Sequence, residues 1–273
     1  MLQGEDVRGS RRWAPPSRLR TMAAMMVLRS TSNERFKHIR SLRSAKGRRA
    51  TGQSLAEGPK LVDLAARAAI AIDVLIVAED DDIDQGLAGD RAKEVLTVSS
   101  DVLRSISDTR TPQSPIAVFR IPPFDAPRRH DQVVLHSISD PGNVGTIIRT
   151  AGALGWDVTL TGSTADPWGP KVVRSSAGSV FRTRMARSQD FDDFDALDVR
   201  VIASVVSGGN PPQRSTEDPV AILVGSEATG LPDDLVKRAA QSVTIPIVGD
   251  VESLNAAVAA GLLMYALARN EPS

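Results

Sequence analysis

Short apolar runs alternate with amphipathic stretches along most of the chain. In the first half, runs that predict strands lie at residues 74–79, 95–99 and 114–121. The stretches between and before them predict helices. The first helix follows a Ser32 cap and has apolar side chains three positions apart, at Phe36, Ile39 and Leu42. A second helix begins near residue 58, and a third, capped helix covers residues 99–106. Strands that alternate with helices predict a small α/β domain over residues 33–121.

The second half predicts another α/β domain, over residues 132–273. It follows residues 122–131, which contain three prolines and no periodicity and are interpreted as a linker. Near-continuous apolar runs suit a parallel sheet that is covered on both faces: 132–138, 200–206, 220–225 and 242–247. The final helix, 254–268, is apolar almost all round, with Val258, Leu262 and Tyr265 on one side. Such a helix needs a second cover, and a partner subunit is the simple candidate.

Composition excludes several kinds of chemistry. The 273 residues include no cysteine, so disulfides, thiolate metal sites and cysteine nucleophiles are ruled out. The three histidines show no metal-ligand spacing, and no metal is expected. No apolar stretch is long enough for a membrane span, which predicts a soluble, cytoplasmic protein. Residues 1–32 have no apolar period and are predicted to be disordered or an extension. An organellar transit segment, or a true start at Met22, Met25 or Met26, stays open.

Charge is uneven along a chain whose net charge is zero. Residues 8–49 hold thirteen lysines and arginines and a single acid, Glu34, so the rest of the chain is acidic on balance. A basic end on a neutral protein indicates a polyanion partner, with a solvated tail as the alternative. The candidate contacts surround the first helix and the turn after it: Lys37, Arg40, Arg43, Lys46, Arg48 and Arg49.

Three glycine-containing loops carry the candidate chemistry. "DPGNVGTIIRTAGALG" (140–155) follows a strand and opens a helix, whose free N–H groups and dipole favour anions, and Arg149 adds a fixed positive fork. "VGSEATGL" (224–231) ends another strand, and two glycines bracket Glu227. "IPIVGDVESLNAAVAAGLL" (245–263) leads from a strand into the last helix, with Ser253 and Asn255 as caps. We expect all three at the carboxyl ends of neighbouring parallel strands, where open α/β sheets bind ligands.

These loops resemble, in order and spacing, the three signature motifs of the SpoU (TrmH-like) RNA 2′-O-ribose methyltransferases of the SPOUT superfamily. The first motif corresponds to Asn143, Gly145 and Arg149. The second corresponds to Gly225, Ser226, Glu227, Gly230 and Leu231. The third corresponds to Ile245, Pro246, Gly249, Ser253, Leu254, Asn255 and Ala259. Residues 170–181 resemble the family's intervening segment. Residues 56–62 and 111–119 resemble its N-terminal substrate-binding module, which is similar to a ribosomal-protein fold.

The resemblance implies a fold and a cofactor. The fold would be a trefoil-knotted, parallel-sheet C-terminal domain preceded by a small α/β RNA-binding domain, with a homodimer formed through the C-terminal domain. S-adenosylmethionine would bind in a bent shape, largely against backbone groups. Its implied contacts are Val224, Gly225, Ser226, Gly230, Ile245, Ile247, Gly249, Ser253 and Leu254.

The resemblance also implies a reaction, the transfer of a methyl group to a ribose 2′-hydroxyl in RNA, with large-subunit ribosomal RNA as the substrate. Arg149 would serve as the base or, more in keeping with a guanidinium, bind phosphate and stabilise oxyanion charge. Glu227 would face the reacting groups or hold Arg149 or Asn143. Asn143, Ser253 and Asn255 would hydrogen-bond the ribose or position Arg149. Plain helix capping is the alternative for Ser253 and Asn255, and both roles can hold at once. Arg174 would contact a phosphate, with a surface charge as the alternative. A transfer-RNA methyltransferase and a non-catalytic RNA-binding factor are the alternatives, although a decayed enzyme would have lost Arg149, Glu227 or Asn255.

Overall fold

The computed structural model describes residues 27–81, 86–189 and 191–269, which form two β-sheets flanked by helices. Most of the predicted extension, residues 1–26, lies outside the described residues. Its last part is attached to the first sheet, because the Leu28 N–H donates to the Thr97 carbonyl at 2.9 Å. Within the described ranges, no helix has the length and hydropathy needed to cross a membrane.

The N-terminal sheet is mixed. Its strands are β1 (Gln53–Glu57), β2 (Ile72–Ala78), β3 (Glu94–Val98) and β4 (Ile116–Arg120), in the order β1-β4-β2-β3. β4 runs antiparallel to both of its neighbours, and β2 and β3 are parallel. The helices are α1 (Glu34–Ser41), α2 (Ala45–Thr51), α3 (Pro59–Arg67), α4 (Gly86–Arg91) and α5 (Ser100–Ile106).

The C-terminal sheet is parallel throughout, as the apolar runs predict. Its strands are β5 (Gln132–His136), β6 (Asp157–Thr161), β7 (Met185–Arg187), β8 (Arg200–Ser204), β9 (Val220–Val224) and β10 (Gln241–Val243), in the order β10-β8-β9-β5-β6-β7. The helices are α6 (Pro141–Leu154), α7 (Pro170–Ser175), α8 (Asp192–Ala196), α9 (Asp233–Arg238) and α10 (Ala256–Ala266), with a 3₁₀ turn at Ser179–Phe181.

The cap of α1 and the position of Arg149 on α6 differ from the sequence-based expectations. α1 is capped by Asn33 and not by Ser32, because the Asn33 side chain accepts the Arg35 N–H at 2.9 Å. α6 begins at Pro141, so Arg149 is its ninth residue and lies two turns along the helix. The positive charge of Arg149 is therefore remote from the start of α6. The prediction that Arg149 and the N–H groups at the helix start form one anion site is wrong.

The two sheets pack against each other through a shared apolar core. The ring of Phe119, on β4, meets the rings of Trp168 and Phe181 edge-on, at centroid distances of 6.2 and 5.3 Å. An ion pair lies in the same interface, where the buried Arg48 donates through Nε to Asp166 Oδ2 at 2.8 Å. Apolar packing and this ion pair hold the N-terminal domain against the C-terminal sheet.

Residues 122–131, predicted to be a linker, lie along the C-terminal sheet. The Asp125 N–H donates to the Met185 carbonyl at 2.9 Å, and Arg128 Nε donates to Asp157 Oδ2 at 2.6 Å. The segment therefore adopts one path because its polar groups are bonded to the sheet, although it lacks regular structure.

Candidate active site

A cavity of about 340 Å³ opens at the carboxyl ends of β8 and β9, within the range of small-molecule sites. The loops that follow these strands form one side of it, and residues 245–254 together with the start of α10 form the other. Of the three predicted loops, those after β5 and β9 follow neighbouring strands. The third does not, because β8 lies between β9 and β10, so the expectation of three neighbouring strands is wrong.

Nearly all of the predicted cofactor contacts line this cavity: Val224, Gly225, Ser226, Gly230, Ile245, Ile247, Ser253 and Leu254. Gly249 is not among the lining residues. Glu227 and Ala259, both named in the predicted motifs, also line the cavity. The lining residues that were not singled out from the sequence are Ser204, Val205, Val206, Ala228, Thr229 and Ala256. The stretch 204–206 consists of the last residue of β8 and the two residues after it, and its only signal in the sequence was the end of a predicted strand.

The turn after β9 is closed on itself and has no space for a side chain at its first position. The Gly230 N–H donates to the Ser226 carbonyl at 2.9 Å, and Gly230 has a φ of +66°, which suits glycine. A Cβ added to Gly225 would lie 2.3 Å from the Gly230 carbonyl carbon. Around Gly249, an added Cβ meets nothing within 4 Å. Close backbone approach therefore explains the first glycine of this turn and does not explain Gly249.

Two asparagines and a glutamate from the three loops form a hydrogen-bonded chain at the rim of the cavity. Asn255 caps α10, and its Oδ1 accepts the N–H groups of Ala257 at 2.9 Å and Val258 at 3.3 Å. Its Nδ2 donates to Asn143 Oδ1 at 3.0 Å. Asn143 Nδ2 in turn donates to Glu227 Oε1. The structure thus brings together Asn143, Glu227 and Asn255, one from each loop.

The direction of this chain follows from the helix. Backbone N–H groups can only donate, so they fix Oδ1 of Asn255 as the acceptor and leave its Nδ2 to donate. Because Nδ2 of Asn255 donates, the atom of Asn143 that receives this hydrogen bond is Oδ1, and Nδ2 of Asn143 therefore faces Glu227. The group at the end of such a chain must accept a hydrogen bond, and Oε1 of Glu227 does so. Glu227 holds Asn143, one of the roles expected of it, and does not hold Arg149.

Asn143 is held in place from the other side by the start of α6. Asp140 caps this helix, and its Oδ1 accepts the Asn143 N–H at 2.9 Å. This hydrogen bond, aided by Lys171 at 3.5 Å, lowers the pKa of Asp140, so the cap is ionised at neutral pH. Gly145 lies further along α6, and its lack of a side chain is needed for helix packing and not for contact with a ligand. An added Cβ would lie 1.9 Å from Ser175 Oγ, so this glycine lets α7 pack closely on α6.

Arg149 is separate from the cavity. It lies on the exposed side of α6, six residues after Asn143, and lines a second concavity with Arg128, Arg182 and Arg184. Its guanidinium makes no hydrogen bond or ion pair with any residue in the described ranges. Ser253 lines the first cavity but does not cap α10, a task that Asn255 performs alone.

The basic residues predicted to bind RNA fall into three groups. Lys46 and Arg49 are exposed and have no bonded partner in the described part of the chain, and Lys37 pairs with Glu34 at 2.5 Å. Arg40 and Arg43 reach α5: Arg40 Nη1 bonds Ser105 Oγ at 3.3 Å, and Arg43 Nε donates to the Ile106 carbonyl at 3.1 Å.

The remaining two lie between the domains. Arg48 is 5% exposed and is held by Asp166 and by the carbonyls of Leu42 and Arg43, so the prediction that it contacts RNA is wrong. Arg174 pairs with Asp108 of the N-terminal domain at 3.1 Å, which occupies one side of its guanidinium. No cluster of three potential metal ligands occurs among the described residues.

Comparison with known proteins agrees with this geometry. Residues 131–265 match the SpoU rRNA Methylase family, and residues 33–117 match the MRM3-like substrate binding domain. The chain is 31% identical over 248 residues to the Bacillus subtilis 23S rRNA (guanosine(2553)-2′-O)-methyltransferase RlmP, which covers 89% of this chain and 99% of the relative.

Solved structures agree as well. An AdoMet-bound rRNA methyltransferase from Sinorhizobium meliloti superposes with a TM-score of 0.79 at 32% identity, covering 89% of this chain and 97% of that one. The SpoU methyltransferase AviRb from Streptomyces viridochromogenes, in complex with AdoMet, gives 0.77 at 27% identity, covering 86% and 97%. The fold and the site thus define an α/β RNA methyltransferase built on a parallel sheet. Within that class, the chain belongs to the SpoU methylase family, as the motifs predicted.

Proposed function

We propose that this protein transfers a methyl group from S-adenosylmethionine to a ribose 2′-hydroxyl of ribosomal RNA. The observation that carries the proposal is the chain from Asn255 through Asn143 to Glu227, which ends on a carboxylate at the rim of the cavity. The Bacillus subtilis relative, named for this reaction on 23S rRNA, supports large-subunit RNA as the substrate. Its bacterial origin supports a place in the cytoplasm.

The first cavity has the properties that the cofactor requires. Ile245, Ile247 and Leu254 supply an apolar wall for an adenine ring. The turn 225–230 lines the opposite side, and it closes too tightly on itself to hold a side chain at Gly225. When bound, S-adenosylmethionine supplies an electrophilic methyl group on a sulfonium. The trefoil knot expected of residues 132–273 belongs to the same proposal, and the parallel order β8-β9-β5 supports it.

Glu227 is the group best placed to receive the proton of the ribose hydroxyl. Its Oε1 accepts from Asn143, and its Oε2 has no hydrogen-bond partner among the described residues. That free oxygen leaves Glu227 a site that can accept the proton, as a general base must. An arginine keeps its proton at neutral pH, so Arg149 acts through charge, by binding phosphate and stabilising the oxyanion.

Arg149 reaches the reacting groups in a homodimer formed through α10. Three large apolar side chains of this helix are exposed: Val258 at 51%, Leu262 at 47% and Tyr265 at 76%. They lie at positions i, i+4 and i+7, so they form one stripe. α10 packs beside α6, where a Cβ added to Gly261 would lie 3.7 Å from the side chain of Thr150, the neighbour of Arg149. A second copy that covers the stripe would bring its cofactor cavity towards Arg149 and complete the site.

The N-terminal domain supplies RNA affinity in this proposal. Within the predicted set, Lys46 and Arg49 are exposed and have no bonded partner among the described residues, and exposed cations release counterions when they meet phosphates. Lys37 is also exposed but pairs with Glu34. Arg48 is excluded because it is buried. Arg174 is not counted among the RNA contacts, because Asp108 binds its Nη2 and its Nη1 is buried.

Methyl transfer to unmodified, transcribed large-subunit ribosomal RNA tests the function, with radiolabelled cofactor and mapping of 2′-O-methylated riboses. We expect one methylated ribose in the wild type. Glu227→Gln should lower kcat by about a hundredfold, the usual scale for loss of a general base, with cofactor affinity unchanged. Methylation of a base, or of transfer RNA in preference to ribosomal RNA, would contradict the proposal. No methylation of any RNA by a protein that still binds RNA would favour a non-catalytic RNA-binding factor.

A further inference from the structure

A second concavity, on the outer side of α6, is lined by four arginines from three segments: Arg128, Arg149, Arg182 and Arg184. It is separate from the cofactor cavity, with which it shares no lining residue. The remaining lining is the end of α6, the start of β6 and the segment 179–184. Arg149 was predicted from a motif, whereas nothing in the sequence analysis singled out Arg182.

The four guanidinium groups are not equivalent. Arg128 forms two hydrogen bonds to Asp157, at 2.6 and 3.0 Å, and Arg184 pairs with Asp125 at 3.0 Å. Arg149 and Arg182 are exposed, and their guanidinium groups make no hydrogen bond or ion pair within the described ranges. Two of the four charges are thus compensated by carboxylates. The concavity keeps two uncompensated positive charges, which attract an anion.

The backbone next to Arg182 is held firmly against α6. A Cβ added to Gly152 would lie 2.5 Å from Thr183 Oγ1, so glycine is needed for this close approach. Thr183 Oγ1 also bonds the Ile148 carbonyl of α6 at 3.4 Å. On the other side, the buried ring of Phe181 packs on Phe119 of the N-terminal domain. Because the segment is fixed at both ends, Arg182 is set beside Arg149 by the fold.

We propose that Arg149 and Arg182 together bind one phosphodiester group of the RNA substrate. The proposal rests on the proposed function, since it takes Arg149 as part of the RNA-methylating site. Guanidinium groups bind phosphate through paired N–H donors, and two of them match the two non-bridging oxygens of a diester. The concavity is open to solvent, which suits a strand that passes over it. Arg182 is accordingly a positioning residue, which holds the RNA while Arg149 acts.

The test compares two variants of Arg182 with a matched control. Arg182→Gln removes one charge, and Arg182→Lys keeps the charge but loses the fork. Arg238→Gln removes the same charge from an exposed arginine that Asp192 and Asp195 already compensate. Affinity for transcribed large-subunit ribosomal RNA is measured over a salt series, together with kcat and KM for methyl transfer. Thermal unfolding and cofactor affinity verify that each variant is folded.

We expect Arg182→Gln to weaken RNA binding roughly tenfold and to reduce the log–log salt slope by about 0.7 to 0.9, the loss of one phosphate contact. KM should rise more than kcat falls. Arg182→Lys should restore the slope and part of the affinity, and Arg238→Gln should match the wild type. If Arg182→Gln behaves as Arg238→Gln does, the proposal is overturned.

A double substitution tests whether the two arginines share one phosphate. If they do, Arg149→Gln combined with Arg182→Gln should weaken RNA binding by less than the product of the two single effects. Effects that multiply would overturn the shared contact. This outcome is independent of the reaction, because it is measured by binding. Should the wild type bind RNA without methylating it, the proposed function fails while the phosphate contact is still judged by the same cycle.

Discussion

Replacing Asn255 by aspartate separates two tasks that this side chain performs. Its Oδ1 accepts two N–H groups at the start of α10, and its Nδ2 donates to Asn143 at 3.0 Å. Aspartate keeps the accepting oxygen and replaces the donor by a second acceptor. In Asn255→Asp, an oxygen therefore faces Asn143 Oδ1, and a second carboxylate lies close to Glu227. Asn255→Ala removes both tasks and serves as the comparison.

The structure sets different magnitudes for the two variants. Loss of the cap in Asn255→Ala costs about 1 kcal/mol, and the lost side-chain hydrogen bond adds about 1 kcal/mol, so we expect about 2 kcal/mol of destabilisation. Aspartate is as good a cap as asparagine and suits the helix dipole, so Asn255→Asp should stay within about 1 kcal/mol of the wild type. Its effect on activity should be larger. Asn143 must turn its amide to meet the new acceptor, and it then loses its donor to Glu227. We expect kcat to fall by about a hundredfold.

Two measurements decide between capping and positioning. Urea unfolding gives the stability of each variant, and methyl transfer at saturating RNA and cofactor gives kcat. If Asn255 is only a cap, activity should follow stability, and the aspartate variant should be nearly normal. Positioning predicts the reverse order, with aspartate stable but inactive. An Asn255→Asp enzyme with wild-type kcat would refute the deduced direction of the hydrogen-bonded chain.

Three further predictions concern other parts of the molecule. Gly225→Ala should weaken cofactor binding at least tenfold by calorimetry, because its Cβ would clash with backbone, whereas Gly249→Ala, with open space, should bind normally. Leu262→Asp should give a monomeric mass by light scattering and little activity, since it charges the exposed stripe of α10; a dimer with normal activity would count against that interface. Burial alone would raise the pKa of Asp73, but hydrogen bonds from Lys93, Gln53 and Arg120 lower it to about 2, below its unfolded value of 3.8. The ionised Asp73 stabilises the folded state by about 1 kcal/mol, after discounting for the exposed cations, and this stabilisation is present above the pKa of the unfolded state. The difference in unfolding free energy between wild type and Asp73→Asn should therefore shrink as the pH falls from about 5 towards 3. A difference that stays constant with pH would contradict the assignment.

Elements with a strong local signal were predictable from the sequence. The apolar runs that became β2, β5, β8 and β9 are bounded by turn residues, and each lies within two residues of its predicted limits. The parallel sheet followed from their continuous apolar character. The last helix was predicted too long by two residues at each end, yet its two apolar faces were recognised, and Leu263 and Met264 prove buried while Leu262 is exposed. In these cases the apolar pattern within the element's own residues is sufficient to predict the element.

Other features depend on residues that are distant in sequence. β1 carries the short run Ser54, Leu55 and Ala56, which has no distinct strand pattern and forms a strand by pairing with β4, more than sixty residues on. Arg48 belongs to a basic cluster in the sequence but is taken into the interior by Asp166, 118 residues away. Strand order is of the same kind, since nothing local places β8 between β9 and β10. Each of these features depends on contacts between residues that are far apart in the chain, and such contacts cannot be read from a single sequence.

The position of Arg149 illustrates how a contiguous motif can serve two places in space. Residues six apart on an α-helix point about 120° away from each other, because each residue turns the helix by about 100°. Asn143 and Arg149 therefore cannot face the same cavity, although one motif contains both. The structure agrees, with Asn143 bonded to Glu227 and Arg149 beside Arg182 in the second concavity. A single chain thus presents a cofactor cavity with a carboxylate on one side of α6 and two uncompensated guanidiniums on the other. If one reaction uses both sides, the RNA must lie between two copies, and we infer that the exposed stripe of α10 brings those copies together.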